Sequence, residues 1–164
     1  MESSPRIRTG ETSSHISIIF VTLAQLIFFA FFHKYIAWYT TEPDGSVTRL
    51  SMLTDDYFTW LPIPITASIL AIVAYGAMII YDRYWFPMIA QIVVHIIGIA
   101  VVVSLVSIFP FDFSVIPNAT AVDIVPRVVT AFLVLMAVVY GSTALVLFAR
   151  LVRVRTSTAD HNEE

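Results

Sequence analysis

Cysteine is absent from the 164-residue chain, so disulfides, thiolate metal sites, iron–sulfur clusters and cysteine nucleophiles are all excluded. Charge is scarce too: Asp, Glu, Lys and Arg make up 13% of the residues, against roughly 25% in soluble domains. So little charge cannot coat a water-facing surface. Lysine occurs once, at Lys34, and no basic run of the kind that tracks nucleic acid is present, so no nucleic-acid partner is expected. Gly-rich phosphate loops, HExxH, GxSxG and paired-carboxylate motifs are missing as well.

What the chain has in abundance is apolar length. It is 58% hydrophobic, with a mean hydropathy of +0.83. The charged residues gather in short polar intervals and leave long stretches free of them. Crossing about 30 Å of hydrocarbon takes roughly 20 apolar residues at 1.5 Å each. Four segments meet that length, at about 16–39, 63–81, 87–109 and 128–151. None alternates apolar and polar residues as barrel strands do, so the spans are helices.

These features predict an all-α fold: an integral membrane four-helix bundle, a tetraspan running up and down antiparallel. The lipid bilayer is its first partner. Residues 1–15 and 152–164 are expected to be disordered tails, the second of them acidic, flanking a transmembrane domain over 16–151. The polar stretch with Arg6 and Arg8 resembles the start of a signal peptide. The apolar run behind it is too long and lacks a small-residue cleavage site, which predicts a retained helix.

Proline placement agrees with four spans. Pro62 and Pro64 open the second and Pro87 the third, Pro110 closes the third, and Pro126 stands before the fourth with Asp123 as candidate N-cap. With the N-terminus inside, Arg6, Arg8, Arg83, Arg150, Arg153 and Arg155 lie on the inner side and Lys34, Arg49 and Arg127 on the outer. The positive-inside rule therefore predicts a cell-membrane protein with both termini cytoplasmic. Tyr35, Trp38, Tyr39, Tyr57 and Trp60 form an aromatic belt outside, and Tyr81, Tyr84 and Trp85 one inside.

The connection Asp82-Arg83-Tyr84-Trp85-Phe86 is short enough to make the second and third helices antiparallel neighbours. In the first outer loop, Leu50, Leu53, Tyr57 and Leu61 recur at helical spacing, which predicts a short interfacial amphipathic helix over Arg49–Trp60. The carboxylates Asp55, Asp56 and Asp112 read as solvated loop charge. No metal-ligand spacing accompanies them, and no metal and no cofactor is expected. Asn118-Ala119-Thr120 matches a glycosylation sequon, a short pattern that also arises by chance.

Polar groups within the spans are costly and ask for partners. Gln25, on the first helix, and Gln91 and His95, spaced i, i+4 on the third, are ligand or proton-relay candidates, with Tyr140 of the fourth helix and Tyr75 of the second within reach. Interhelical hydrogen bonds alone, worth about 0.6 kcal/mol each, would account for them. The functional alternative is a proton relay, a quinone contact or a substrate site using the His95 imidazole. His33 and His95 differ in depth by about 12 Å at 1.5 Å per residue, which argues against bis-histidine haem. His33 and Lys34 read as an interfacial anchor. Small residues four apart mark helix-packing faces at Ala67 and Ala71, Ala100 and Ser104, and Ala137 and Gly141.

Architecture of this kind serves many functions. The leading expectation is a non-enzymatic accessory, scaffold or interaction subunit that packs against another membrane protein or a second copy of itself. The alternatives are a small oligomeric transporter or channel, and a quinone- or lipid-binding subunit of a membrane enzyme.

Overall fold

The structure, a computed structural model, describes residues 5–81 and 85–160, and side chains over 12–81 and 85–153. Of the tails expected to be disordered, residues 1–4 and 161–164 lie outside the described residues, as does the Asp82-Arg83-Tyr84 connection, whereas residues 5–15 and 152–160 continue the first and last helices.

Among the described residues four helices are long and apolar enough to cross a membrane, so the chain is a multi-pass membrane protein. Helix α1 runs over Pro5–Ile27 and passes into a π turn at Phe28–Phe32 and a 3-10 turn at His33–Tyr35. A five-residue helix α2, Asp56–Trp60, leads into α3, Pro62–Ile80. Helix α4 spans Trp85–Ile108 and α5 Ala119–Asp160. The start of α4 and the ends of α3 and α5 lie at one end of the bundle, with the start of α1, and this is called the terminal end; the longer connections lie at the other, the loop end. The packed helix pairs are α1 with α3, α3 with α4, and α4 with α5, in an up-down order.

The all-α expectation fails at the loop end. Strands β1, Ala37–Thr41, and β2, Val47–Ser51, form an antiparallel hairpin with Trp38 opposite Leu50 and Tyr39 opposite Arg49. Between them Glu42-Pro43-Asp44-Gly45 closes a turn in which the Gly45 amide donates to the Glu42 carbonyl at 2.9 Å. Gly45 sits at φ +84°, a conformation open to glycine at little cost. Arg49–Ser51 are thus strand, and the expected amphipathic helix shrinks to α2. Helix α2 is in turn the start of the second span: Leu61 keeps helical geometry between α2 and α3, and its amide donates to Tyr57 O at 2.8 Å. The interruption falls where Pro62 and Pro64 bring no N–H.

Helix α5 also starts earlier than expected. Asn118 Oδ1 accepts from the Thr120 and Ala121 amides, at 2.9 and 3.3 Å, and so caps the helix in place of Asp123. Asp123 instead pairs with Arg127 one turn on, at 2.7 Å on the exposed face. Pro126 therefore lies inside the helix, close to its loop end.

The loop end is tied together by backbone. The Thr54 amide donates to Pro110 O at 3.1 Å and the Asp112 amide to Met52 O at 2.9 Å, joining the two long connections. Phe109 takes φ +45°, a left-handed turn that ends α4 and gathers three rings, Phe111 stacked on Phe113 and Phe109 edge-on to Phe111. At the terminal end Tyr75, Met78 and Ala90 form a core packed by Ile18, Ile19, Ala74, Phe86 and Val94. The outer faces of α1 and α5 present Phe20, Phe31, Phe132, Leu135 and Leu145 uncovered, as side chains solvated by lipid must be.

Candidate ligand-binding cavity

Between the helices lies a cavity of about 360 Å³, partly open to the outside. Helix α1 contributes Thr22 and Gln25, α3 Ser68, Ala71 and Tyr75, α4 His95 and Gly98, and α5 Met136 and Tyr140. Phe29, Trp60 and Leu105 line its loop end. Helices α1 and α5 both supply wall residues, α1 packing on α3 and α5 on α4. Gln25, on α1, is exposed.

The wall is built by close packing at two points. Gly98 faces Tyr140: a Cβ at that position would stand 3.3 Å from Cε1 and Cζ of the ring. The glycine lets α4 and the aromatic ring of α5 approach, and His95, one turn before it, meets the same ring edge-on with centroids 5.8 Å apart. At the loop end the Trp60 indole N–H donates to Ser104 Oγ at 3.1 Å, and the Ser104 hydroxyl donates to Val101 O at 2.7 Å. Trp60 is 2% exposed, so its polar atom needs that partner.

Beside this end the π turn of α1 presents the Phe29 carbonyl to two donors. His33 Nδ1 and the Tyr57 hydroxyl each donate to it at 2.9 Å, and the two rings stack with centroids 5.0 Å apart. A π turn breaks the regular i to i−4 pattern and leaves such a carbonyl available. His33 is therefore a partner of Tyr57, a role its position beside Lys34 did not reveal.

Of the ligand or relay candidates, Gln25, His95 and Tyr140 line the one cavity, with Tyr75 beside them. Gln91 does not line it; its backbone carbonyl accepts from His95 Nδ1 at 2.6 Å. Of the small residues, Ala67 and Ala71 line the cavity, and Ala67 also shares with Ala100 a shallow apolar groove of about 390 Å³ between α3 and α4. Ser104 serves Trp60, while Gly141 lies against Ile99. Ala137 is half-buried. Sequence reading missed Gly98, Trp60 and Ser68. The one available signal was a glycine one turn beyond His95.

The polar balance of the cavity is uneven. Thr22 returns its hydroxyl to Ile18 O at 2.8 Å. The Gln25 carboxamide, the Ser68, Tyr75 and Tyr140 hydroxyls and His95 Nε2 make no hydrogen bond among the described residues. None of these atoms is sealed away, since among the described residues Thr54 Oγ1 is the one buried side-chain polar atom left without a partner. No acidic side chain, lysine or arginine lines the cavity. Among the described residues no group of three or more His, Asp or Glu is placed to hold a metal ion. Comparison with known protein families, curated proteins and solved structures finds no match to this chain.

Proposed function

We propose that this chain is a non-enzymatic membrane component that binds a small lipid-soluble molecule within its helices, with both termini in the cytoplasm. One observation supports the reading: a single cavity is lined by five polar side chains, from α1, α3, α4 and α5, whose polar atoms make no hydrogen bond among the described residues apart from the Nδ1 contact of His95. In hydrocarbon each such atom costs free energy until something pairs with it. A mostly apolar cavity with a few convergent polar groups is the common form of a small-molecule site. The cavity is partly open, which gives a ligand a way in. A wall without acidic residues, lysine or arginine supports an uncharged ligand over an ion path.

The test is to purify the protein in mild detergent and identify by mass spectrometry the organic-soluble molecules that accompany it. Ala71→Phe, which fills the cavity from α3, serves as the comparison. A defined compound retained by the parent chain and lost from the variant is expected. Identical extracts from the two would overturn the proposal.

A second reading, an interaction subunit, is supported by the groove of Thr66, Ala67, Leu70 and Ala100 between α3 and α4. Small side chains there let another helix backbone come close. Because the chain has no cysteine, Ala100→Cys would introduce a unique crosslinking handle. Crosslinking to one defined membrane protein in native membranes is expected on this reading, and labelling by lipid probes alone counts against it.

A further inference from the structure

The ligand's polar group can be narrowed further, on the proposal that the cavity binds a lipid-soluble molecule. His95 Nδ1 lies 2.6 Å from the Gln91 carbonyl oxygen, within its own helix. A carbonyl only accepts, so Nδ1 carries the proton, and in the neutral ring Nε2 is left with a lone pair and no hydrogen. Nε2 has no partner among the described residues and is not sealed off. Thr22 has committed its proton to Ile18 O and can only accept further. Hydroxyls of Ser68, Tyr75 and Tyr140 rotate to donate or accept, and the Gln25 amide offers both roles. The imidazole is the ring on that wall whose free nitrogen is made an acceptor by a bond the protein already makes.

We infer that the ligand is an uncharged hydroxy compound, a phenol or alcohol on an alkyl body, whose O–H donates to His95 Nε2. Its oxygen can in turn accept from one of the rotating hydroxyls. A ketone, ether or ester of the same shape meets lone pair with lone pair at Nε2 and leaves that nitrogen unpaired, which is the costly case. The aliphatic and aromatic remainder of the wall accommodates the body.

The test uses 4-decylphenol and its methyl ether, 4-decylanisole, radiolabelled and titrated onto the full chain in phospholipid nanodiscs, with empty discs correcting for partition. At least tenfold tighter binding of the phenol is expected, and His95→Phe, which keeps an aromatic ring against Tyr140, should erase that preference. In 15N-histidine-labelled protein the His95 Nε2 resonance should move with the phenol and stay still with the ether, a readout that needs no variant. Equal binding of the two probes to the parent chain would overturn the hydroxyl inference and leave the cavity proposal standing. Binding of neither probe would remove the cavity proposal itself.

Discussion

The backbone of Gly98 and the ring of Tyr140 touch across the α4–α5 interface so closely that a methyl group at position 98 would stand 3.3 Å from two ring carbons. The ring also meets His95, so this contact sets where two polar groups of the cavity stand. Gly98→Ala should therefore cost about 1–3 kcal/mol as overpacking. Tyr140→Leu, which withdraws the ring, should make the same alanine nearly neutral. Unfolding by SDS titration in mixed micelles checks both, and an alanine that is harmless in the presence of Tyr140 would show that the ring yields freely.

Trp60 and Ser104 bridge α2 and α4 through one hydrogen bond. Ser104→Ala leaves the indole N–H without a partner in a site 2% exposed, and a loss of about 0.6–1.7 kcal/mol is expected. Trp60→Phe removes donor and bulk together. The double variant should lose less than the sum of the two singles, since the bond is shared. Strict additivity in the same denaturation experiment would mean that the bond contributes nothing.

The Phe29 carbonyl has two donors, so it tolerates losing either one. Tyr57→Phe and His33→Phe should each cost about 0.5–1.5 kcal/mol, a typical net hydrogen bond. Together they orphan the carbonyl beside the cavity, and the double variant should lose more than the sum. Amide hydrogen exchange at Phe28–Phe32 should quicken in the double variant and hardly change in the singles.

Acid sensitivity at the loop end follows from Asp112. Its carboxylate accepts from the Ser114 hydroxyl at 2.6 Å and from the Ser114 amide at 2.9 Å, and these bonds hold its pKa below the ordinary 3.8. A lowered folded value means that the turn's stabilisation is complete above 3.8 and is lost as pH falls through the lower folded value. Titration of the Asp112 carboxyl carbon by NMR should give a midpoint under 3.8. Ser114→Ala, which removes the larger cause, should move it back up.

The four spans were legible because hydrocarbon imposes a length and forbids charge, two constraints that act on each segment alone. The hairpin was misread for the converse reason. Leu50, Leu53, Tyr57 and Leu61 fit a helical stripe, yet Glu42-Pro43-Asp44-Gly45 is a strong turn signal, and Val47, Thr48 and Arg49 pair with Thr41, Thr40 and Tyr39 instead. Asn118 caps α5 in place of Asp123, so seven helical residues precede Pro126, which lies inside the helix and leaves the Val122 carbonyl without its usual backbone donor.

The polar candidates could be named from sequence because they interrupt apolar runs. Which of them would share a cavity could not, since that depends on the order in which the helices stand and on how each is rotated. Gln91 shows the difficulty: it shares a helix face with His95, yet it contributes only a carbonyl.

The π turn has a consequence for the first helix as a whole. An α-helix advances about 100° per residue, and the widened turn at Phe28–Phe32 accommodates surplus chain between the anchored His33 and the stretch that carries Thr22 and Gln25. Deleting one of those phenylalanines would leave the span greasy enough to insert, but would swing Gln25 about a quarter-turn from its neighbours across the bundle. A loss that hydropathy scarcely notices would thus misalign the chemistry several residues upstream.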